Sequence, residues 1–246
     1  VSMNKAPKIA VYSPPNKQPW DDAVTLVLTY AEIEYETIYD ENIVNGELKD
    51  YDWLHLHHED FTGQHGKFWR TQQHMPWYQQ EVRTNKELAE KLGFLKVSEM
   101  KSFVTREIQK YVSSGGFLFA MCAATDTYDI SLAAVGIDIC ENMFDGDPAD
   151  KDANEKLDFT ETFAFKDFKL EQNPYEYEFS DIDATNHRRV IRENDFFTLF
   201  DFSAKWDPIP TMLCQNHNNL IKGFMGQTTA YRNEVLKSNV LVLGEN

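Results

Sequence analysis

The sequence predicts an α/β fold: a mostly parallel sheet with helices on both faces. Three observations carry it: continuously apolar runs of strand length, helical periodicity between them, and glycine or proline at the joins. Lys8-Ile9-Ala10-Val11-Tyr12-Ser13 is the first such run, and Pro14-Pro15 turn it into a loop. Ala23, Val24, Val27, Leu28 and Ala31 then recur at helical spacing, with Asp21 or Asp22 placed to cap the start. Glu34 to Tyr39 reads as a second strand, Asn45-Gly46 as a turn, and Trp53-Leu54-His55-Leu56-His57-His58 as a third strand. Phe61 to Tyr78 is aromatic, Gln-rich and without a period, which predicts a long loop over an edge or a mouth. Helical patterns return at Asn85 to Leu92 and at Ser98 to Val112, the second closed by Ser113-Ser114-Gly115-Gly116. Phe117 to Met121 is an apolar strand, Ala123 to Val135 a helix stopped by Gly136, and Ile137 to Cys140 one more short strand.

The second half changes character. Leu157 to Phe165, Tyr175 to Phe179, Phe196 to Phe202 and Thr211 to Cys214 are aromatic and strand-like with no helices between them. They predict an antiparallel extension of the sheet, and Asn239 to Gly244 repeats the buried-strand pattern. The expected organisation is one domain over 1–246: a core at 8–140 completed by a terminal strand at 239–244, with a β-rich insertion at 141–215.

At 246 residues and 42% hydrophobic, the chain can bury a core without disulfide staples. Acidic residues outnumber basic ones 40 to 24, and the net charge of −16 repels a phosphate backbone and an anionic bilayer. The densest basic spot, His187-Arg188-Arg189 with Arg192, lies among acids, so neither nucleic acid nor membrane is an expected partner. No apolar run approaches the ~20 residues of a membrane span, and Val1-Ser2-Met3-Asn4-Lys5 reads as neither signal nor transit peptide. Three widely spaced cysteines suggest neither a disulfide framework nor a CxxC metal site, and Cys140 and Cys214 read as small buried hydrophobes. No cofactor motif is present: there is no Gly-rich phosphate loop and no GxSxG elbow.

The strongest chemical feature is Gly115-Gly116-Phe117-Leu118-Phe119-Ala120-Met121-Cys122-Ala123-Ala124. A cysteine at the sharp turn between a buried strand and a helix projects at the carboxyl edge of the sheet, where helix amides lower a thiol pKa and can hold an oxyanion. Cys122 is then a nucleophile with the Ala123 amide as oxyanion donor; the plainer reading is a cysteine packed at a strand end. His55, His57, His58, Glu59 and Asp60 form a second cluster. Strand alternation puts His55, His57 and Glu59 on one face, where His55 and His57 form an HxH pair suited to zinc. His58 or Glu59 alternatively orients Cys122 across neighbouring strand ends. Asp150, Asp152, Asn154, Asp158 and Glu161 fall at calcium-loop spacing, but Glu155 stands where that loop needs glycine, so a solvated acidic loop is the expectation. Phe68, Trp69, His74, Trp77 and Tyr78 either stack on a sugar-like ligand or pack under the insertion.

The strand, the elbow cysteine and the helix behind Gly115-Gly116 resemble the class I glutamine amidotransferase-like superfamily over residues 8–140. Lys8 to Asp22 (KIAVYSPPNKQPWDD), Tyr51 to Gly63 (YDWLHLHHEDFTG) and Gly115 to Asp126 (GGFLFAMCAATD) look, more closely, like a bacterial family labelled asparagine synthetase B. The residues show neither the N-terminal cysteine nor the SGG-type loop of the synthetase so named. The resemblance implies a flavodoxin-like sheet and cysteine-dependent hydrolysis or transfer of an amide or acyl group. It also implies longer parent proteins, with an export signal to the periplasm upstream and a histidine-bearing segment downstream. Amidotransferases of this class take their catalytic histidine from a late strand, with a carboxylate two residues on; His217 is the nearest late histidine and lacks that carboxylate. The two rival expectations are a non-catalytic domain binding a small sugar-like ligand and a metal-dependent hydrolase built on His55 and His57.

Overall fold

The computed structural model describes residues 6–15, 22–185, 196–199, 220–222, 228 and 230–245. Four strands, β1 (Ile9–Tyr12), β2 (Glu36–Ile38), β3 (Trp53–Leu56) and β4 (Phe117–Ala120), form a parallel sheet in the order β2-β1-β3-β4. Helix α1 (Asp22–Tyr30) links β1 to β2, and α2 (Asp40–Val44) follows β2. Between β3 and β4 come α3 (Trp69–Gln72), α4 (Pro76–Lys91) and α5 (Val97–Ser113), and α6 (Ala124–Ala133) follows β4. The α/β class and the parallel sheet are as the apolar runs predict.

The core forms because the apolar stripe of α5 meets the inner face of the sheet. Val104 and Ile108 from α5 pack with Ala10 and Tyr12 of β1, Leu54 and Leu56 of β3, and Tyr128 and Leu132 of α6. Each such aliphatic side chain contributes ~1.5–3 kcal/mol of burial. A second core on the far side of α6 joins Ala123, Ile130 and Ala133 to Phe165, Phe168, Phe179 and Ile182 of the insertion. Helix α6 is therefore buried all round, and its polar residues must find partners inside the protein.

Several segments differ from the sequence expectation. Phe61 to Tyr78 is not an irregular loop but a 3-10 turn at His65–Lys67, then α3, then the start of α4, where Pro76 takes the first helical position. Leu157 to Phe165 and Tyr175 to Phe179 contain no strand; isolated bridges join Phe165 to Leu236 and Leu170 to Ser180. Their aromatics wedge against α6 rather than alternating across a sheet. Ile137 to Cys140 is irregular and is followed by α7 (Asn142–Asp145) and α8 (Ala153–Lys156). The late strands β5 (Phe196–Leu199), β6 (Leu220–Lys222) and β7 (Gly244–Glu245) form an antiparallel sheet in the order β6-β5-β7. Among the described residues none of them pairs with the parallel sheet. On β4, Phe117 and Phe119 are 55% and 43% exposed, so one face of this apolar strand is open. Asp21, the basic spot at His187, the strand at Thr211 to Cys214, Cys214 and His217 lie outside the described residues.

Candidate functional site

The candidate residues gather at the carboxyl ends of β1, β3 and β4, where open parallel sheets place their crevices. Register fixes the neighbours. Leu56 pairs with Ala120, and the Met121 N–H donates to the Leu56 carbonyl at 3.1 Å, so His58 and Cys122 leave adjacent strands at the same level. Neighbouring strands lie about 4.8 Å apart.

Cys122 stands at φ +52, and the Ala124 N–H closes the turn on the Met121 carbonyl at 3.2 Å. A side chain at positive φ costs ~1–2 kcal/mol, and the turn throws it outward at the strand end. The Cys122 thiol is half-buried, whereas Ala123 is buried and opens α6, with its N–H at the positive helix end. In the insertion, burial first, then the charges of Cys122, Asp183 and Glu178, push the Tyr177 hydroxyl up to about 12. Tyr177 also lies 5.8 Å, ring to ring, from Phe68, which meets Trp77 at 5.7 Å. The sequence reading missed Tyr177; the only signal was its place in an aromatic run.

On the β3 side, Glu59 is buried and its carboxylate accepts the His57 N–H at 2.8 Å. Burial pushes the Glu59 carboxyl up, and the charge of His58 partly offsets this. His57 and His58 meet edge to face at 4.4 Å. Asp60 shapes the following loop, its carboxylate taking the N–H groups of Thr62 at 2.6 Å and Gly66 at 3.0 Å. Gly63 sits at φ +87, and a β-carbon there would lie 2.7 Å from the Ser98 Cα, so only glycine lets this loop cross the start of α5. A cavity of about 40 Å³ lies under the loop, lined among others by His58, Glu59, His65 and Lys101. The His65 Nε2 there has no hydrogen-bond partner, and burial pushes the ring down to about 3, keeping it neutral.

Beneath the cavity sits a network the sequence reading did not find. The Lys101 Nζ is 2.7 Å from the Asp40 carboxylate and donates to the Tyr12 hydroxyl at 2.8 Å. Tyr12 in turn donates to Asp40, and the Lys101 ammonium lies 4.7 Å from the Tyr39 ring centre. Burial, then the Asp40 charge, hold the Tyr12 hydroxyl well above its ordinary value.

The remaining candidates are not gathered in this way. His55 is buried, its ring stacks on Phe119 at 5.1 Å, and burial pushes it down. Among the described residues, the one grouping of three potential metal ligands is Asp138, Cys140 and Asp145, with neither His55 nor His57 in it. The calcium-like run is dispersed: Asp150 and Asp152 pair with Lys156 at 3.2 and 2.8 Å, while the Asn154 Oδ1 accepts the Leu170 N–H. No helix among the described residues is long and apolar enough to cross a membrane. Set against protein-family models, curated proteins and solved structures, the chain finds no match.

Proposed function

We propose that the protein is a cysteine-dependent hydrolase or transferase of amide or acyl groups on a class I glutamine amidotransferase-like domain, with Cys122 as nucleophile. The observation that carries this reading is Cys122 at φ +52 in the turn between β4 and α6, level with His58. The order β2-β1-β3-β4 is consistent with a flavodoxin-like sheet. The Ala123 N–H serves as oxyanion donor, and His58 or Glu59 takes the thiol proton.

Alkylation by iodoacetamide from about pH 5 to about pH 9, followed peptide by peptide, is the first test. Cys122 should react well below the ~8.5 of an ordinary thiol, and His58→Ala should move that profile upward. Ammonia release from an amide panel should then vanish in Cys122→Ala. An ordinary Cys122 profile, or amide hydrolysis surviving Cys122→Ala, rejects the assignment. One observation favours the rival, a domain binding a sugar-like ligand: the exposed rings of Tyr175 and Tyr177 against Trp69 and Phe68. Saccharide binding lost in Tyr175→Ala, with an inert Cys122, would establish that alternative.

A further inference from the structure

Away from Cys122, the segment after α6 folds back on the loop after β3, and Cys140 is buried where they meet. Its thiol donates to the Thr62 carbonyl at 3.3 Å, and its N–H donates to the Asp138 Oδ1 at 3.0 Å. The Cys140 Sγ and one oxygen each from Asp138 and Asp145 all lie within 4.8 Å of one another. This is more than an acidic cluster. The Asp145 side chain is 4% exposed, and its Oδ2 has no hydrogen bond, only the Lys96 ammonium at 3.1 Å. That one ammonium also meets Asp138 and Asp147, each at 2.5 Å, so a single positive charge faces three carboxylates.

We propose that Asp138, Cys140 and Asp145 form a binding site for a thiophilic divalent cation of the zinc class. A thiolate with two carboxylates suits zinc, whereas magnesium and calcium take oxygen alone. Asp147 lies outside the ligand group and its side chain is 55% exposed, so Lys96 can keep Asp147 while releasing the other two carboxylates to the metal. Burial, with the charges of Asp145, Asp60 and Asp138, holds the Cys140 thiol protonated in the metal-free protein. Coordination reverses this: the sulfur–metal bond forms and the thiol proton leaves to solvent. A cavity of about 650 Å³ whose walls include Lys96, Asp138 and Thr62 reaches the Asp138 edge of this group. The bound ion would tie Asp138 and Cys140 to Asp145 at the end of α7, a structural site independent of the chemistry at Cys122.

The test is a titration of chelator-treated, untagged protein with Co²⁺ and then Zn²⁺. One equivalent of Co²⁺ should give a thiolate-to-cobalt charge-transfer band, and Zn²⁺ should bleach it. Cys140→Ser should abolish the band and Cys122→Ser leave it. Asp145→Asn should weaken binding by about tenfold or more, and Lys96→Met, which removes the competing ammonium, should tighten it by about tenfold. Because Cys140→Ser is a buried change, a second readout uses the native chain: Zn²⁺ should protect Cys140 from alkylation in moderate urea. Absence of the band in both the native chain and Lys96→Met, a band that follows Cys122, or no protection of Cys140 overturns the proposal.

Discussion

Cys122 holds a conformation that a side chain tolerates poorly, so its substitutions separate strain from chemistry. At φ +52 glycine is the relaxed residue and alanine is not. Cys122→Gly should therefore be about 1 kcal/mol more stable than Cys122→Ala by urea unfolding, although both lack the thiol. Equal midpoints would mean that the turn relaxes and stores no strain. Lys101 presents the opposite case, a residue that cannot be changed alone. Lys101→Met leaves the Asp40 carboxylate buried without its cation and should cost about 3–5 kcal/mol, whereas the pair Lys101→Met with Asp40→Asn should recover much of that loss. Cys122 was legible because a strand, a cysteine and a helix follow one another directly. Lys101 was legible only to a reader who placed it on the stripe of Val97, Val104 and Ile108, where a lysine must be buried or bent away.

At the scale of elements, α6 is the hinge between what the sequence shows and what it hides. Its span was close to expectation because apolar β4 and Gly136 bracket it. Its burial on both sides was not, because Asp126, Thr127, Asp129 and Ser131 look like a solvated face. Asp126, Thr127 and Asp129 carry specific bonds instead. Asp129 takes the N–H groups of Phe163, Ala164 and Phe165 at 2.8, 2.7 and 2.8 Å, and so docks the insertion on the helix. Asp129→Ala should cost at least about 3 kcal/mol, since three N–H groups lose a charged acceptor. Limited proteolysis should then cut near Phe163 while β1 and β3 stay protected; unchanged cleavage would mean that the apolar contacts of Phe165 and Phe168 hold the insertion alone. Those contacts also explain why the aromatic runs misled as strands. Their rings are spaced to fill the outer core of α6, and composition does not distinguish a wedge from a pleat.

For the whole molecule, the parallel sheet was legible because its apolar runs are short and separated by helical periods, but which faces are covered depends on partners the pattern does not name. The same holds for buried charge, which the net figure of −16 conceals and pH brings out. Asp126 is fully buried at the start of α6, its Oδ1 accepting the Thr228 hydroxyl at 2.9 Å; burial, then the charge of Asp183, push it up to about 8. In the unfolded chain this carboxyl titrates near 3.9, so from there to about 8 the folded state holds a proton that the unfolded state has lost. Stability contributed by that proton falls as pH rises, with a limiting slope of about 1.4 kcal/mol per pH unit. His65 acts in the reverse sense. Held neutral down to about 3, it leaves the unfolded state the better proton binder up to about 6.5, so its contribution grows with pH in that window and then stops. The two slopes oppose each other below about 6.5, and between about 6.5 and 8 only the Asp126 slope remains. Urea midpoints of the native chain should therefore drop across that interval. Asp126→Asn, whose amide oxygen can still accept the Thr228 hydroxyl without a proton to lose, should remove the drop. A native chain with flat midpoints across the interval, or an Asp126→Asn variant that falls as steeply, would show that Asp126 ionises in the folded state much as it does in the unfolded chain.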